Sequence, residues 1–298
     1  MWTFRAMNTE IAVAAPDLGD AVERDFALAV EQLFRETERQ FSRFLPESEL
    51  AELNRADGAI TVSAELLALL LRARALAAET DGIFDPTVGA ALEASGYDRS
   101  FAPGVLDRDD APTAAPRASV AMLDIDEDRR RIVRPPHVQV DFGGFLKGLT
   151  ADRAAALAVG PAIVEAGGDA VLRGAPDGEA GWTVDIEDPR DAGRMLGSVV
   201  VRDRAVATSA ANRRSWRRAS RVMHHLIDPR TGAPAHTDLA QATVVAPTAE
   251  RADIMAKVAF VLGAAQGSRE LERRGLSGVL VLCDGTIRTV GALELHDA

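Results

Sequence analysis

Helical periodicity occupies much of the first third of this 298-residue chain and strand signals much of the rest. That order constrains the fold more than any single motif does. From Asp20 to Phe44 the side chains of Val22, Phe26, Val30, Leu33, Phe34, Thr37 and Phe41 recur at helical spacing, which predicts one long amphipathic helix. Pro46-Glu47-Ser48 opens a short helix through Leu53, ended by Asn54 and the Asp57-Gly58 turn. Ser63 then caps a Leu/Ala-rich helix that Asp81-Gly82 breaks.

Ahead of these helices, residues 2–15 read as one strand closed by Pro16, and behind them 103–116 reads as a surface loop. A hairpin is expected around Asp126 to Arg129 and a strand over Val138 to Phe142. The stretch Asp141 to Gly148 leads into a helix through Val159, capped by Gly160, and then comes a strand from Ala162 to Glu165. Residues 181–187, 197–202 and 205–208 predict an antiparallel meander, and Gln241 to Val245 a further strand. Ala249 to Leu262 reads as a helix that Gly263 terminates, followed by a second helix over about 265–274 and a closing hairpin around Asp284-Gly285. Helices first, mixed strands later and no regular βα repeat predict an α+β fold. Without an internal repeat or linker, the expectation is one domain over 1–298, its helical part at about 16–100 packed on a sheet-rich part at about 120–298.

With 47% hydrophobic and 27% charged residues the chain can bury a substantial core. A net charge of -11 repels nucleic-acid phosphates and anionic membranes except at local basic islands. No window approaches the ~18 apolar residues needed to cross a bilayer, and the N-terminus lacks the apolar core of a secretory signal, so a cytoplasmic location is expected. Cys283, the one cysteine, has no internal disulfide partner and is expected in the core of the run 278–283.

Chemistry concentrates in Ser220 to Gly232, where adjacent imidazoles, His224 and His225, precede an Asp228-Pro229 turn. Seven arginines lie between Arg202 and Arg221 with one acid, Asp203, so an anion is expected nearby. Adjacent strand residues point to opposite faces, which leaves either histidine open as a general base beside bound phosphate and the other as packing. Gly-Gly pairs at 143–144 and 167–168 allow close backbone approach to a ligand, or are simply tight turns. Asp253 and Lys257, four apart on one helix, are either a surface ion pair or a site for a hard cation.

The motifs carry more as a series. Phe41-Ser42-Arg43-Phe44, Ser48-Glu49-Leu50 with Leu53-Asn54, and Thr80 to Val88 (Thr-Asp-Gly-Ile-Phe-Asp-Pro-Thr-Val) come first. Asp141-Phe142-Gly143-Gly144-Phe145-Leu146-Lys147-Gly148, Glu165-Ala166-Gly167-Gly168-Asp169, Ala207-Thr208-Ser209, His225-Leu226-Ile227-Asp228-Pro229-Arg230-Thr231-Gly232 and Ala252-Asp253 follow in order. Together they resemble the ApbE family from about Met7 to Gly263. The resemblance implies a T-fold-like α+β architecture with FAD held in a cleft between sheet and helices. It implies a flavin transferase that splits FAD, links FMN by a phosphoester to a threonine (or serine) of an acceptor flavoprotein and releases AMP, with Mg²⁺ required.

By the same resemblance, His225 is the catalytic base. The cofactor-binding positions are Met7, Asp85, Tyr97, Asp141, Gly143, Gly144, Lys147, Gly167, Gly168, Asp169, Thr208, Ser209, His225 and Asp228. Asp253 is a metal ligand with the Gly144 carbonyl, and Lys257 stands where the family usually carries a threonine ligand. Asn8 and Ala210 also depart from the family's usual glycines. Because of Lys257, an FAD-binding protein with lost or metal-independent activity is an alternative, as is a pyrophosphatase giving FMN and AMP.

Overall fold

The structure, a computed structural model, describes residues 1–297, which divide into two compact units. The first comprises Met1–Glu36, Phe145–Ala210 and the chain from Thr237 onward, and the second Thr37–Gly144 and Ala211–His236. In chain order the elements begin with strands β1 (Trp2–Ala6) and β2 (Thr9–Ala14), helices α1 (Asp20–Phe41) and α2 (Glu49–Arg55), strand β3 (Ala59–Thr61), and helices α3 (Ala64–Glu79) and α4 (Gly89–Ala94). They continue with β4 (Asp124–Asp126), β5 (Arg131–Val133), α5 (Leu146–Ala155), β6 (Ala162–Ala166), β7 (Asp169–Arg173), β8 (Trp182–Glu187), β9 (Met195–Val201) and β10 (Arg204–Ala210). The last are β11 (Ser215–Arg218), β12 (Arg221–His224), β13 (Ile227–Asp228), β14 (Ala233–Pro234), β15 (Leu239–Ala246), α6 (Ala249–Arg273), β16 (Ser277–Leu282) and β17 (Ile287–Val290).

The first unit is built on one antiparallel sheet in the order β1-β2-β6-β7-β10-β15-β16-β17. Strand alternation divides its side chains between two faces. On one face Ala170, Leu172, Val206, Val245, Val279 and Val281 form a core with Ile186, Val199 and Val201 of the β8–β9 hairpin. On the other, α5 and α6 pack, α6 chiefly on β10 and β15 and α5 on β6, β7 and α6.

The start of α6 is held by side chains. Thr248 Oγ accepts from Arg251 N at 3.2 Å as the N-cap of α6, and Asp152 of α5 accepts from Ala249 N at 2.7 Å and Glu250 N at 3.0 Å. Those are donors that a helix start leaves unsatisfied. Burial pushes the Asp152 carboxyl up, with the backbone N–H groups of Glu250 and Ala249 pulling back. Gly148 lets α5 lie against this same turn, since a Cβ there would fall 2.6 Å from the Ala249 carbonyl oxygen. Gly263 breaks α6 with φ 79° and ψ 171°, so two helical pieces run on either side of it, as its position in the sequence predicts.

In the second unit Ser48 and Ser63 cap α2 and α3, each accepting at 3.0 Å from the backbone N–H three residues on. The small sheet β3-β5-β4 and the hairpins β11–β12 and β13–β14 complete it. Its core includes Ala91, Leu92, Leu106, Met223 and Ile227 around Tyr97 and Trp216.

Several elements differ from the expectation. Residues 2–15 form a hairpin, not one strand, because Met7 and Asn8 take left-handed φ of 51° and 59° without a glycine to mark the turn; Asn tolerates that region. Strands β8 and β9 pair apart from β10, so there is no three-strand meander. Helix α5 ends at Ala155, short of Gly160. Val138 to Phe142 is not a strand, and side chains hold it instead. Val140 exchanges two hydrogen bonds of 2.8 Å with the Asn54 amide, and Arg134 donates to the carbonyls of Leu53, Asn54 and Val138. Ala210 ends β10 in regular pairing with Gln241. Cys283 is exposed, because the apolar run ends one residue earlier at the turn between β16 and β17. No helix among the described residues is long and apolar enough to cross a membrane.

The Gly148 contact makes a stability prediction. Gly148→Ala is expected to cost about 1–3 kcal/mol through overpacking against Ala249 and Glu250, read as a lowered urea midpoint with an unchanged m-value. An unchanged midpoint would show that α5 shifts to admit the methyl group.

Candidate functional site

In the first unit three elements bring ionisable groups to one buried place. Strand β6 turns into β7 through Gly167 and Gly168, with φ of 64° and 98°, values that L side chains rarely adopt. A Cβ on Gly167 would also run into the Thr9 side chain. The tight turn starts β7 at Asp169, whose register partner is Ala207 on β10, and Thr208 N donates to the Gly168 carbonyl at 3.1 Å. Asp169 therefore faces the helices. Lys147 of α5 donates to Asp169 Oδ2 at 2.5 Å and lies 3.7 Å from Asp253 Oδ2. One turn along α6, Lys257 donates to Asp253 Oδ1.

These four groups form a charge-balanced cluster in little water. The side chains of Asp169 and Asp253 are 3% exposed, Lys147 10% and Lys257 20%. Burial pushes the Asp169 carboxyl up, the Asp253 carboxylate adds to that, and the Lys147 and Lys257 ammoniums pull it back. Among the described residues, Asp253 Oδ2 has no hydrogen-bond partner.

Thr208 and Ser209 lie on adjacent positions of β10, so they take opposite faces of the sheet. Ser209 is buried on the side of Ala207 and Asp169. Thr208 Oγ1 meets Thr243 Oγ1 at 2.9 Å, and Gln241 links Thr243 to the Glu187 carbonyl on the other side. Met7 lies in the β1–β2 turn.

In the second unit most of the expected residues build turns. Asp85 Oδ1 accepts from Thr87 N at 2.9 Å, Thr87 Oγ1 at 2.6 Å and Val120 N at 3.1 Å. Asp141 Oδ1 accepts from Gly143 N at 2.6 Å, and Arg43 Nε pairs with its Oδ2 at 2.5 Å. Gly143 keeps that turn tight, since a Cβ would lie 2.8 Å from Asp141 Oδ1. Gly144 is the last residue of its segment in this unit. Asp228 folds the Pro229–Gly232 turn, accepting from Arg230 N and Nε at 2.9 Å each. Tyr97, 5% exposed, packs on protein rings: Phe44 and Trp216 at 5.5 Å and Phe101 at 6.4 Å between centroids.

The arginine run does not form one free patch. Arg218 is 4% exposed and donates to Asp110 Oδ2 at 2.8 Å, and the Arg217 backbone N–H is held by Asp107. The two histidines differ. His224 Nδ1 accepts from Leu226 N at 3.3 Å, so Nε2 carries the proton and donates to the Ala235 carbonyl at 3.1 Å. Burial lowers its basicity, the Ala235 contact partly opposing. His225 Nδ1 lies 3.4 Å from the Arg214 carbonyl. A carbonyl only accepts, so the contact favours the tautomer with the proton on Nδ1.

Two residues with roles here were not singled out from sequence. Arg43 reaches Asp141 and also donates to the Tyr97 carbonyl at 2.6 Å, and Asp152 caps α6 one turn ahead of Asp253. Arg43 sits inside a quoted motif, and Asp152 five residues after Lys147, but neither spacing names the partner.

A family model described as ApbE family matches residues 7–292. The FAD:protein FMN transferase of Treponema pallidum is 32% identical over 301 residues, covering 92% of this chain and 80% of that protein. The FAD:protein FMN transferase of Rhodobacter capsulatus is 30% identical over 292 residues, covering 95% of this chain, which spans 55% of that protein's length. Among solved structures, the ApbE protein of Thermotoga maritima superimposes with a TM-score of 0.84 at 26% identity, over 97% of this chain and 96% of that one.

His224 makes a signed pH prediction. Its lowered basicity means that below the usual pKa of about 6.5 the unfolded chain takes up a proton that the folded chain refuses, so stability falls as pH drops. Thermal midpoints from pH 8 to 5 are expected to fall more steeply for the parent than for His224→Gln. Parallel curves would remove His224 as the cause.

Proposed function

Because the chain belongs to the ApbE family, we propose that it is an FAD:protein FMN transferase acting on a threonine or serine of an acceptor flavoprotein. The observation that carries this reading is the match to relatives of that name over almost the whole chain, the first at 32% identity over 92% of it. The acceptor hydroxyl oxygen attacks the phosphorus that bears riboflavin. The bond from that phosphorus to the bridging oxygen breaks, and its electron pair leaves with AMP. The hydroxyl proton passes to His225 Nε2 and from there to the departing phosphate or water. FAD and protein hydroxyl give FMN-protein ester and AMP, with no oxidant or reductant.

Each step needs groups of the kind this chain carries. A base beside the nucleophile is worth about 10²–10⁴-fold, and the Arg214 carbonyl at His225 Nδ1 supports that role. Cations offset charge on the phosphoryl oxygens and the leaving group, a role we assign to Lys147 and Lys257. We assign the turns at Asp141–Gly144 and Gly167–Asp169 to the diphosphate and flavin, since their glycines allow close backbone approach. Met7, Asp85, Thr208, Ser209 and Asp228 complete the residues we assign to the FAD site, Asp85 and Asp228 through the turns they hold and Thr208 through its backbone N–H, which holds the Gly168 carbonyl. Tyr97 acts through the ring cluster that surrounds it.

The resemblance implies Mg²⁺ at Asp253 and Gly144, and the donor set at Asp253 does not fit it. Lys257 already takes Oδ1, and Oδ2 lies 3.7 Å from the Lys147 ammonium. A dication and one ammonium about 4 Å apart repel by about 8 kcal/mol at an effective dielectric of about 20. Among the described residues no three His, Cys, Asp or Glu side chains gather to offset that.

Incubation with FAD and a threonine-bearing flavoprotein acceptor, followed by intact-mass measurement, is expected to add one FMN less one water per acceptor and release one AMP. FMN and AMP without a modified acceptor would instead make it a pyrophosphatase. Bound FAD with neither product would make it a binding protein. His225→Ala is expected to slow AMP release by about 10²–10⁴-fold while FAD affinity stays within a few-fold.

A further inference from the structure

We propose that the Lys257 ammonium supplies the positive charge that the FAD diphosphate requires, in place of a divalent cation, so that FAD binding and FMN transfer proceed without added metal. The inference rests on the FMN-transfer reading above. Four observations lead to it.

Lys257 lies one helical turn beyond Asp253, and its Nζ contacts Asp253 Oδ1 directly. It occupies the lone-pair region that a hard cation would use on that carboxylate. Second, the cluster is neutral as it stands: Asp169 and Asp253 are balanced by Lys147 and Lys257. A dication added to it would leave two surplus positive charges where both carboxylates are 3% exposed. Third, Lys257 is the most accessible of the four, 20% exposed against 10% for Lys147. The carboxylates lie deeper, so an arriving phosphate meets an ammonium. That group has three N–H donors, of which Asp253 takes one. Fourth, an exposed ion pair at this spacing would explain the contact between Lys257 and Asp253 but not the burial of the acid. A carboxylate with one oxygen lacking a hydrogen-bond partner is costly to bury and has no place in an ordinary surface pair.

Lys257 forms no covalent bond in this scheme and donates no proton to product. It orients phosphoryl oxygens and offsets their charge, with Asp253 fixing its direction and Lys147 shared between the two carboxylates. Its rigid seat on α6 replaces the fixed distance that metal coordination supplies elsewhere.

The test uses the full chain with FAD as the probe for binding, and with FAD plus the threonine-bearing flavoprotein acceptor where AMP release is read. FAD binding is followed by quenching of flavin fluorescence, and AMP release by chromatography, each with EDTA and again with millimolar Mg²⁺. For the parent protein, FAD affinity and AMP release are expected to agree within about threefold between the two conditions. Lys257→Met, which keeps length and loses charge, is expected to weaken FAD binding at least tenfold in EDTA. Lys257→Thr, which opens the space beside Asp253, is expected to bind FAD weakly in EDTA and to regain affinity with Mg²⁺, a gain that a merely structural lysine would not produce. Thermal midpoints of both variants check that they fold.

The proposal is overturned if the parent needs Mg²⁺ to bind FAD, or if Lys257→Met binds FAD in EDTA as tightly as the parent does. FAD binding judges the cation separately from the reaction. Should no acceptor ever be modified and no AMP appear, the transferase reading fails while the binding arms still decide the role of Lys257.

Discussion

Two carboxylates and two ammoniums sharing one dry place on the helix side of the sheet form the constraint on which the first unit turns. Removing a single partner from such a group leaves an uncompensated buried charge, at a cost of about 3–5 kcal/mol. The elements that carry the four residues are therefore held to one arrangement. Strand β7 must begin at Asp169, which requires the two-glycine turn before it. Helix α5 must approach the start of α6 closely enough for Lys147 to reach both acids, which requires Gly148 and is locked by Asp152 on the first N–H groups of α6. The glycines of the motifs thus act here through packing and turn geometry, whatever else they touch.

The second unit solves a different problem. It has no large sheet to position its polar residues, so side chains do the work that strand pairing does elsewhere. Asp85, Asp141 and Asp228 each fold a turn around their own carboxylate. Asn54 and Arg134 hold the segment that leads to Asp141. Opposed strands fix the hairpin that ends in His224, and the neighbouring His225 inherits its place from that hairpin.

Much of this was readable in the chain and some was not, for physical reasons. Helices α1, α2, α3 and α6 follow from apolar spacing and from serine caps, both local signals, and the break at Gly263 follows from one residue. The β1–β2 turn is not marked in the sequence because Met7 and Asn8 adopt left-handed conformations without a glycine, and a single Asn is a weak turn signal. The separation of β8–β9 from β10 depends on pairing between distant residues, about which alternation is silent. Among the site residues, Lys147, Asp169, Asp253 and Lys257 meet across three elements. Only the i, i+4 pair is visible as spacing, and the ring nitrogens that distinguish His224 from His225 are set by carbonyls at Ala235 and Arg214.

The amide at Asn54 carries a genetic consequence. It matches both the donor and the acceptor of Val140 from 86 residues away, and no other side chain of its size except its own type does so: aspartate lacks the N–H, and leucine lacks both groups. A lesion at Asn54 would therefore be felt first at Val140 and in the turn that Asp141 folds beside it. A search for suppressors would be drawn to the loop that carries Val140 rather than to the helix that carries the change. Mutational maps of this unit should then show paired sensitivities between positions with no shared pattern in the sequence, an inheritance of geometry by complementarity rather than by periodicity.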